Sequence, residues 1–147
     1  MDDVDRGILV ALQENARTPF SDIAKKLKVS EGTVHNRVRR MLESGVIRGF
    51  KAVVAPEKVG KPLTAIICIN ADPHKGKQIL QRVVQMKGIY EVYDVTGEYY
   101  AVIKARASDM ASLTQIIDAI SSIEGITSTL TMVAMQVLKE HVGVDID

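Results

Sequence analysis

The stretch TPFSDIAKKLKVSEGTVHNRVRRMLESGVIRGF, residues 18–50, decides the fold of the N-terminal part of the chain. Apolar side chains at Ile23, Ala24 and Leu27 have the spacing of one face of a short helix. Ser30 stands in the N-cap position of a second amphipathic helix, because its hydroxyl oxygen can accept a hydrogen bond from a backbone N–H of the first turn. Two short helices joined by a tight connection are typical of a helix-turn-helix motif.

The second of these helices, which we place from position 31 to about position 44, presents two different faces. The apolar face is expected to pack on the preceding helices and comprises Val34, Val38, Met41 and Leu42. The opposite face is polar or small and comprises Gly32, Thr33, His35, Asn36, Arg39 and Arg40. Gly45 ends the helix as its C′ residue. A helix with one face for packing and one face free is suited to lie in the major groove of DNA.

The positive charge of the chain is concentrated in the same region. Residues 17–51 contain nine Lys and Arg against three Asp and Glu, a local charge of +6, whereas residues 52–147 contain nine against eleven, a charge of −2. A local basic surface is what binding to the phosphate backbone requires, whatever the charge of the whole chain. Each arginine alone would be explained equally well by a solvated helix face, but its combination with a capped helix and a short turn favours DNA.

The DNA-contacting residues follow from this geometry. Asn36 is suited to adenine and Arg39 or Arg40 to guanine, since these pairs form two hydrogen bonds at the base edge. Arg37 borders the apolar face, so it either reaches a phosphate or fixes the neighbouring helix. Gly32 allows the backbone to approach the nucleic acid, and the basic residues of the flanking segments are better placed for phosphates. The predicted DNA-binding residues are Arg17, Lys25, Lys26, Lys28, Ser30, Gly32, Thr33, His35, Asn36, Arg37, Arg39 and Arg40.

A further helix precedes the motif and completes a small domain. It is predicted from about position 3 to position 15, where Val4, Ile8 and Leu12 form one apolar stripe. The acidic residues at its start suit the positive end of the helix dipole. We assign residues 1–47 to a helix-turn-helix DNA-binding domain, residues 48–62 to a strand and linker, and residues 63–147 to a second domain.

The second domain follows the order β-α-β-β-α-β. Strands are predicted at 46–54 (with a bend at Gly49), 63–71, 89–97, 99–107 and 127–138, and helices at 75–87 and 109–122. Apart from the first strand, which precedes the domain, this order is that of a ferredoxin-like sandwich, with four antiparallel strands and two helices on one face. The predicted fold class is therefore α+β.

This second domain carries no catalytic or metal-binding constellation. The three histidines, His35, His74 and His141, are scattered along the chain, and the single cysteine, Cys68, lies in an apolar run that indicates a small buried hydrophobe. There is no phosphate-binding loop, no Gly-x-Ser-x-Gly elbow and no dinucleotide-binding glycine motif. We therefore expect no enzyme, no cofactor and no metal.

Helices on only one face of the sheet would leave the other face as an exposed apolar surface, which a monomer rarely tolerates. Pairing of two sheets about a two-fold axis would cover it and would place two recognition helices about one DNA turn apart, roughly 34–36 Å. The acidic N-terminus and the absence of a long apolar run argue against a secretory signal and a membrane span, so we expect a cytoplasmic protein.

A set of short sequence motifs occurs along the chain in the same order as in a known family. They are Ile8-Leu9, Asn15-Ala16-Arg17, Ile23-Ala24, Val29-Ser30, Thr33-Val34, Arg37-Val38, Gly45-Val46-Ile47, Gly49-Phe50 and, in the second half, Val95-Thr96-Gly97. With them the chain, over about residues 2–139, resembles the Lrp/AsnC (feast/famine) transcription regulators. The resemblance implies a DNA-binding dimer that associates into tetramers or octamers, and a small effector, usually an amino acid.

The resemblance also implies where the effector binds: between dimers, near the turn between the second and third strands of the second domain. The residues of this turn are Thr96, Gly97, Glu98, Tyr99 and Tyr100. The family's turn usually reads Thr-Gly-x-x-Asp, and its acidic residue can meet an ammonium group, whereas this chain has Tyr100 in the acidic position. Three interpretations stay open. Glu98 takes over the role, the pocket binds a different ligand or none, or Thr96-Gly97 serves only as a hairpin turn.

We therefore predict a sequence-specific transcription regulator that acts by occupying DNA. An alternative is an architectural protein that coats DNA with little sequence preference. A third class, a ligand-binding or catalytic module with the N-terminal half as an accessory, is disfavoured by the missing catalytic groups. The expected partners are double-stranded DNA, further copies of the chain and a small effector, with no membrane.

Overall fold

The computed structural model describes residues 1–147. The chain divides into two structural units. Unit 1 comprises Met1–Val53 together with the C-terminal segment Glu140–Asp147, and unit 2 comprises Val54–Lys139. No helix is long and apolar enough to cross a membrane.

Unit 1 contains three helices, α1 (Asp3–Glu14), α2 (Phe20–Leu27) and α3 (Glu31–Glu43). They confirm the helices predicted at about 3–15, 21–27 and 31–44 to within one residue at each end. Their inward side chains form one apolar cluster made of Ile8, Leu9, Ala11, Leu12, Ile23, Ala24, Val34, Val38, Met41 and Ile47. The burial of this shared core, more than the propensity of such short helices, holds unit 1 together.

Local hydrogen bonds fix where the helices begin and end. Asp2 and Asp5 form a capping box at the start of α1, in which each side chain accepts from the backbone N–H of the other residue. Ser30 caps α3 as predicted, with its Oγ accepting from the backbone N–H of Thr33 over 3.0 Å. Gly45 ends α3 with φ of +76°, a left-handed conformation that glycine adopts without steric cost.

Two expectations for this part of the chain are wrong. Residues 46–54 form no strand, because an isolated segment needs a neighbouring edge to complete a ladder and none of the four strands pairs with it. Leu42 remains 42 % exposed, whereas Val34, Val38 and Met41 are buried. The apolar stripe of α3 is thus narrower than its periodicity indicates, since Leu42 lies at the edge of the face that meets α1 and α2.

Unit 2 has the predicted ferredoxin-like order. Its elements are β1 (Leu63–Ala71), α4 (Gly76–Val83), β2 (Ile89–Asp94), β3 (Ala101–Ala107), α5 (Met110–Ser121) and β4 (Ile126–Val133), preceded by a short 3-10 turn at Pro56–Val59. The sheet has the order β2-β3-β1-β4, and its neighbouring strands are antiparallel. Asp109 caps α5, with its carboxylate accepting from the Ser112 backbone N–H.

Several elements of unit 2 are shorter than predicted, and β3 begins at Ala101 and not at 99. β4 ends at Val133 and not at 138, because its partner β1 begins at Leu63. The last hydrogen bond along this pair of strands runs from the Ala134 N–H to the Thr64 carbonyl over 2.9 Å. β2 ends at Asp94, so the turn before β3 is longer than the sequence indicated. α4 is regular only to Val83, and the segment after it continues as turns.

The two faces of the sheet differ in character. Toward α4 and α5 lie the fully buried Ile67, Ile69 and Ile103, which form the core of unit 2. On the other face Leu130 and Met132 of β4 remain 45 % and 48 % exposed, as the prediction of an open apolar face requires. That face also carries charged side chains, with Lys104 of β3 donating to Glu91 of β2 over 3.1 Å. Cys68 is buried as predicted.

Candidate nucleic-acid interface and effector pocket

The orientation of α3 is fixed by the apolar residues on its inner face. Val34 is fully buried, and Val38 and Met41 are nearly so, within the apolar cluster shared with α1 and α2. The opposite side of the helix carries Asn36, Arg39 and Arg40, which are all exposed. Packing therefore fixes the rotation of α3 and leaves hydrogen-bonding side chains free to meet a nucleic acid.

Arg37 has a structural role in unit 1. Its Nη1 donates to Oδ2 of Asp2 over 2.6 Å and lies 3.2 and 3.3 Å from the two carboxylate oxygens of Asp5. Between the two roles that the sequence left open for Arg37, the structure shows the fixing of the neighbouring helix. The N–H of Asp5 and then the guanidinium lower the pKa of Asp2, and hydrogen bonding to Asp2 raises the pKa of Arg37.

The side chains of the outward face contact one another along the helix. Arg39 donates from Nη2 to Oδ1 of Asn36 over 3.2 Å, and its Nε lies 4.0 Å from a Glu43 carboxylate oxygen. Exposed contacts of this kind are weak and are readily exchanged for a ligand. The pair Asn36–Arg39 therefore presents an amide N–H₂ and a guanidinium at adjacent positions of one helical face.

The first turn of α3 combines a cap with an open position. Thr33 is turned toward the cap, with its Oγ1 2.8 Å from the Ser30 Oγ. His35 stands edge-on to the Phe20 ring of α2 at 4.6 Å between ring centroids and lies 3.7 Å from Glu31. Gly32 is exposed, and an added Cβ would meet only the Ser30 Oγ, at 3.8 Å. The packing of unit 1 thus gives no reason for a glycine at position 32.

The basic residues predicted for phosphates lie at the surface of unit 1. Arg17, Lys25, Lys26 and Lys28 are exposed. Lys28 also forms the turn between α2 and α3, with φ of +57°, the left-handed conformation that a side chain other than glycine rarely adopts. No sequence pattern indicates this conformation, because a lysine in a turn looks like any other exposed lysine.

The predicted effector turn divides into an exposed tip and a half-buried base. Thr96, Gly97 and Glu98 are exposed, and Gly97 has φ of +115° with nothing near a hypothetical Cβ. Tyr99 and Tyr100 are half-buried. The backbone N–H of Tyr100 donates both to the Ile69 carbonyl over 2.9 Å and to the Asn70 Oδ1 over 3.1 Å.

Tyr100 contributes to a cavity of about 470 Å³ in unit 2, which is lined by Lys77, Leu80, Gln81, Val84, Asp94 and Tyr100. The cavity combines a cation, a carboxylate, a phenol and two apolar side chains. Tyr100 also lies over Gly76 of α4, where a methyl group would overlap its phenol ring. Sequence reasoning predicted Tyr100 but missed Lys77 and Asp94, because only the folded sheet brings α4 and the end of β2 together.

The chain has a capped helix-turn-helix unit followed by a separate α+β unit with a cavity. This architecture is typical of a DNA-binding transcription regulator with a ligand-binding domain. Residues 1–42 match the AsnC-type helix-turn-helix domain, and residues 64–144 match the Lrp/AsnC ligand binding domain. The chain therefore belongs to the Lrp/AsnC family of transcription regulators.

Individual relatives agree with this assignment over the whole chain. The HTH-type transcriptional regulator FL11 of Pyrococcus furiosus is 38% identical over 140 residues, covering 95% of this chain and 93% of the relative. The structure of Escherichia coli AsnC is 32% identical and covers 96% of each chain, with a TM-score of 0.89. An AsnC family regulator from Agrobacterium tumefaciens is 26% identical and covers 99% of this chain and 97% of its own, with a TM-score of 0.90.

These relatives are named transcriptional regulators, so the chain is a DNA-binding transcription regulator of AsnC type with a ligand-binding domain. They give no support to the alternative of an architectural coating protein. They also agree with the expectation that the chain acts by binding and not as an enzyme.

Proposed function

We propose that the chain acts as a dimer that places two α3 helices in successive major grooves on one side of the DNA. The observation that carries the proposal is the two-faced α3, whose valines are buried while Asn36, Arg39 and Arg40 remain exposed. Asn36 and the two arginines read base edges, and Arg17, Lys25, Lys26 and Lys28 hold phosphates. Arg37 contributes by orienting α3 through Asp2 and Asp5.

Selection of bound fragments from a random DNA pool, followed by footprinting, tests this mode of binding. Discrete, inverted half-sites about one helical turn apart are expected, because a two-fold dimer presents the same helix twice. Continuous protection of the DNA without preferred sites would contradict the proposal and would favour coating.

The open face of the sheet in unit 2 supports the dimer. Leu130 and Met132 are exposed beside the half-buried Ile66, which pairs with Met132 across β1 and β4. A second copy of this face would bury them, and further association of dimers gives the tetramers or octamers expected of the family. Sedimentation at micromolar concentration is expected to show a dimer or a larger assembly. The paired change Leu130→Lys and Met132→Lys is expected to give monomers, with Thr127→Lys at an exposed position of the same strand as the control.

We further propose that an amino acid or a similar zwitterion binds in the cavity of unit 2 and modulates DNA binding. Lys77 is suited to a carboxylate and Asp94 to an ammonium group, so the carboxylate of Asp94 replaces the one that is missing at position 100. Leu80 and Val84 offer contact to an apolar side chain. In this proposal the exposed Thr96, Gly97 and Glu98 form the rim, and Tyr99 and Tyr100 form the base.

Isothermal titration with each of the twenty amino acids tests the effector. Binding is expected for at least one of them, and Asp94→Asn is expected to weaken it at least about tenfold, the effect of losing one charged hydrogen bond. Asp118→Asn on the exposed side of α5 serves as the matched control. No heat at millimolar ligand, or equal binding by Asp94→Asn, would refute the proposed site.

A further inference from the structure

The C-terminal residues belong to unit 1, although unit 2 precedes them in the sequence. Residues 134–139 have no regular structure, and the segment Glu140–Asp147 clusters with the three helices. Unit 1 therefore contains two separate stretches of the chain. The function derived so far gives this second stretch no role.

Gln13 of α1 holds the segment through two opposed hydrogen bonds. Its Nε2 donates to the carbonyl oxygen of Val144 over 3.0 Å, and its Oε1 accepts from the backbone N–H of Val144 over 2.8 Å. The side-chain amide thus pairs with both backbone groups of one residue, as a neighbouring strand would. The Val144 side chain stays 71 % exposed, so the contact recognises an extended backbone and not that side chain.

The neighbours of Val144 set the register of this contact. Ile146, two residues further on, packs against the apolar cluster of unit 1. At Gly143 a Cβ would lie 3.0 Å from Oε1 of Gln13 and 2.6 Å from Nε2 of His141. A Cβ at position 143 would therefore crowd the ends of the Gln13 and His141 side chains, and Ile146 supplies the apolar anchor.

We propose that the side of α1 that carries Gln13 is a docking site for an extended peptide, occupied reversibly by this chain's own segment 140–147. The contact rests on backbone hydrogen bonds and on one apolar anchor: Gln13 pairs with both backbone groups of Val144, and Ile146 packs on the apolar cluster of unit 1. Two hydrogen bonds between exposed residues and one half-buried side chain form a contact that opens without unfolding the unit.

The docked segment ties the DNA-binding unit to the ligand-binding unit a second time. β4 ends at Val133, and the residues 134–139 lead directly into the segment. The first connection is the chain around residues 53–54. After release of the segment, the chain around residues 53–54 alone connects the three helices to unit 2.

Residue-resolved hydrogen exchange of the full-length chain tests the proposal. Gln13→Ala is expected to speed exchange of the Val144 amide about tenfold, the effect of losing one or two net hydrogen bonds. Gln13→Glu is expected to give intermediate protection, because a carboxylate still accepts from the Val144 N–H but repels its carbonyl. Glu14→Gln changes charge at the neighbouring exposed position and is expected to leave the rate as it is.

Competition by a peptide provides a readout that does not depend on changing α1. An unlabelled peptide of residues 140–147, added in excess to labelled full-length chain, is expected to speed exchange at Val144, whereas the same peptide with Ile146→Ser is not. An unprotected Val144 in the unchanged chain, or equal effects of the two peptides, would overturn the proposal. Protection that rises with protein concentration would assign the segment to a second copy and would equally overturn it.

Discussion

Arg37 of α3 reaches the carboxylate of Asp2, 35 residues earlier in the chain, with 2.6 Å between Nη1 and Oδ2. Asp2 is at the same time the N-cap of α1, where it accepts from the Asp5 N–H over 2.9 Å. The carboxylate of Asp2 therefore caps α1 and at the same time holds α3 against the start of α1.

The stability of unit 1 is expected to fall in acid through Asp2. The N–H of Asp5 and the Arg37 guanidinium lower the pKa of Asp2, so the folded state binds this proton less readily than the unfolded chain. The stabilisation is present above the ordinary aspartate pKa of about 3.9 and is lost as the pH falls through the lowered value. Unfolding of unit 1 by denaturant between about pH 6 and pH 2 is expected to show a smaller pH dependence for Asp2→Asn.

Asp3→Asn is the control for this measurement, because Asp3 is exposed and pairs with Arg6 of its own helix. It is expected to leave the pH dependence near that of the unchanged chain. An acid transition of the same size in Asp2→Asn as in the unchanged chain would show that other carboxylates carry the effect.

The left-handed conformation of Lys28 gives a prediction about the turn. Lys28→Gly is expected to leave the free energy of unfolding of unit 1 unchanged or to raise it by up to about 1 kcal/mol, since glycine adopts positive φ freely. Lys28→Val is expected to lower it by more than about 1 kcal/mol, because a β-branched side chain tolerates this conformation poorly. Lys26→Val, on a helical residue nearby, controls for the lost charge. Equal stability of the Gly and Val variants would contradict the observed backbone.

Mutations of the proposed base-reading residues and of the proposed phosphate-binding residues are expected to change DNA binding in different ways. Asn36→Ala should reduce discrimination at one position of the operator by about 1–3 kcal/mol. Lys25→Ala should weaken binding to all sequences evenly and reduce the slope of log affinity against log salt by about 1. Binding assays on matched and mismatched duplexes at several salt concentrations separate the two. Even losses on every sequence for Asn36→Ala would remove it from the base-reading set.

The fit of Tyr100 over Gly76 predicts a coupled pair in unit 2. Gly76→Ala places a methyl group into the phenol ring and is expected to destabilise the chain by about 1–3 kcal/mol. In the Tyr100→Ala background the same change is expected to cost far less, since the obstructing ring is gone. A double-mutant cycle by chemical denaturation measures this coupling. A cost of Gly76→Ala that is independent of residue 100 would show that the ring moves aside freely.

The helices and the order of the sheet could be predicted because they rest on local patterns. Ser30, Gly45 and the stripe Val34–Val38–Met41 act within one or two turns of the chain. The strand expected at 46–54 depends instead on a partner edge, which periodicity does not describe. The length of β4 is similarly set by β1, a strand more than 50 residues earlier.

In the candidate sites too, some residues are placed by local helical periodicity and others by the packing of distant elements. The exposed face of α3 follows from its helical period, so Asn36, Arg39 and Arg40 were predictable. The contact of Arg37 with Asp2, and the cavity that Lys77 and Asp94 both line, depend on how distant elements pack, and the sequence alone gives no distance between them. Sequence analysis did leave both roles of Arg37 open, because the residue lies on the border between the two faces of α3.

Substitution of Gly32 is expected to affect the stability of α3 and its DNA binding in opposite directions. An added Cβ would meet only the Ser30 Oγ at 3.8 Å, and alanine is the better helix former, so Gly32→Ala is expected to stabilise unit 1 by about 0.5–1 kcal/mol. If the missing side chain serves the approach of the backbone to DNA, the same variant binds its operator at least about tenfold more weakly. Ala119→Gly, at an exposed position of α5, is the control for helix propensity in the opposite direction. Thermal unfolding and operator binding of Gly32→Ala would decide, and a variant that is more stable and binds with unchanged affinity would show that the glycine has no part in DNA recognition.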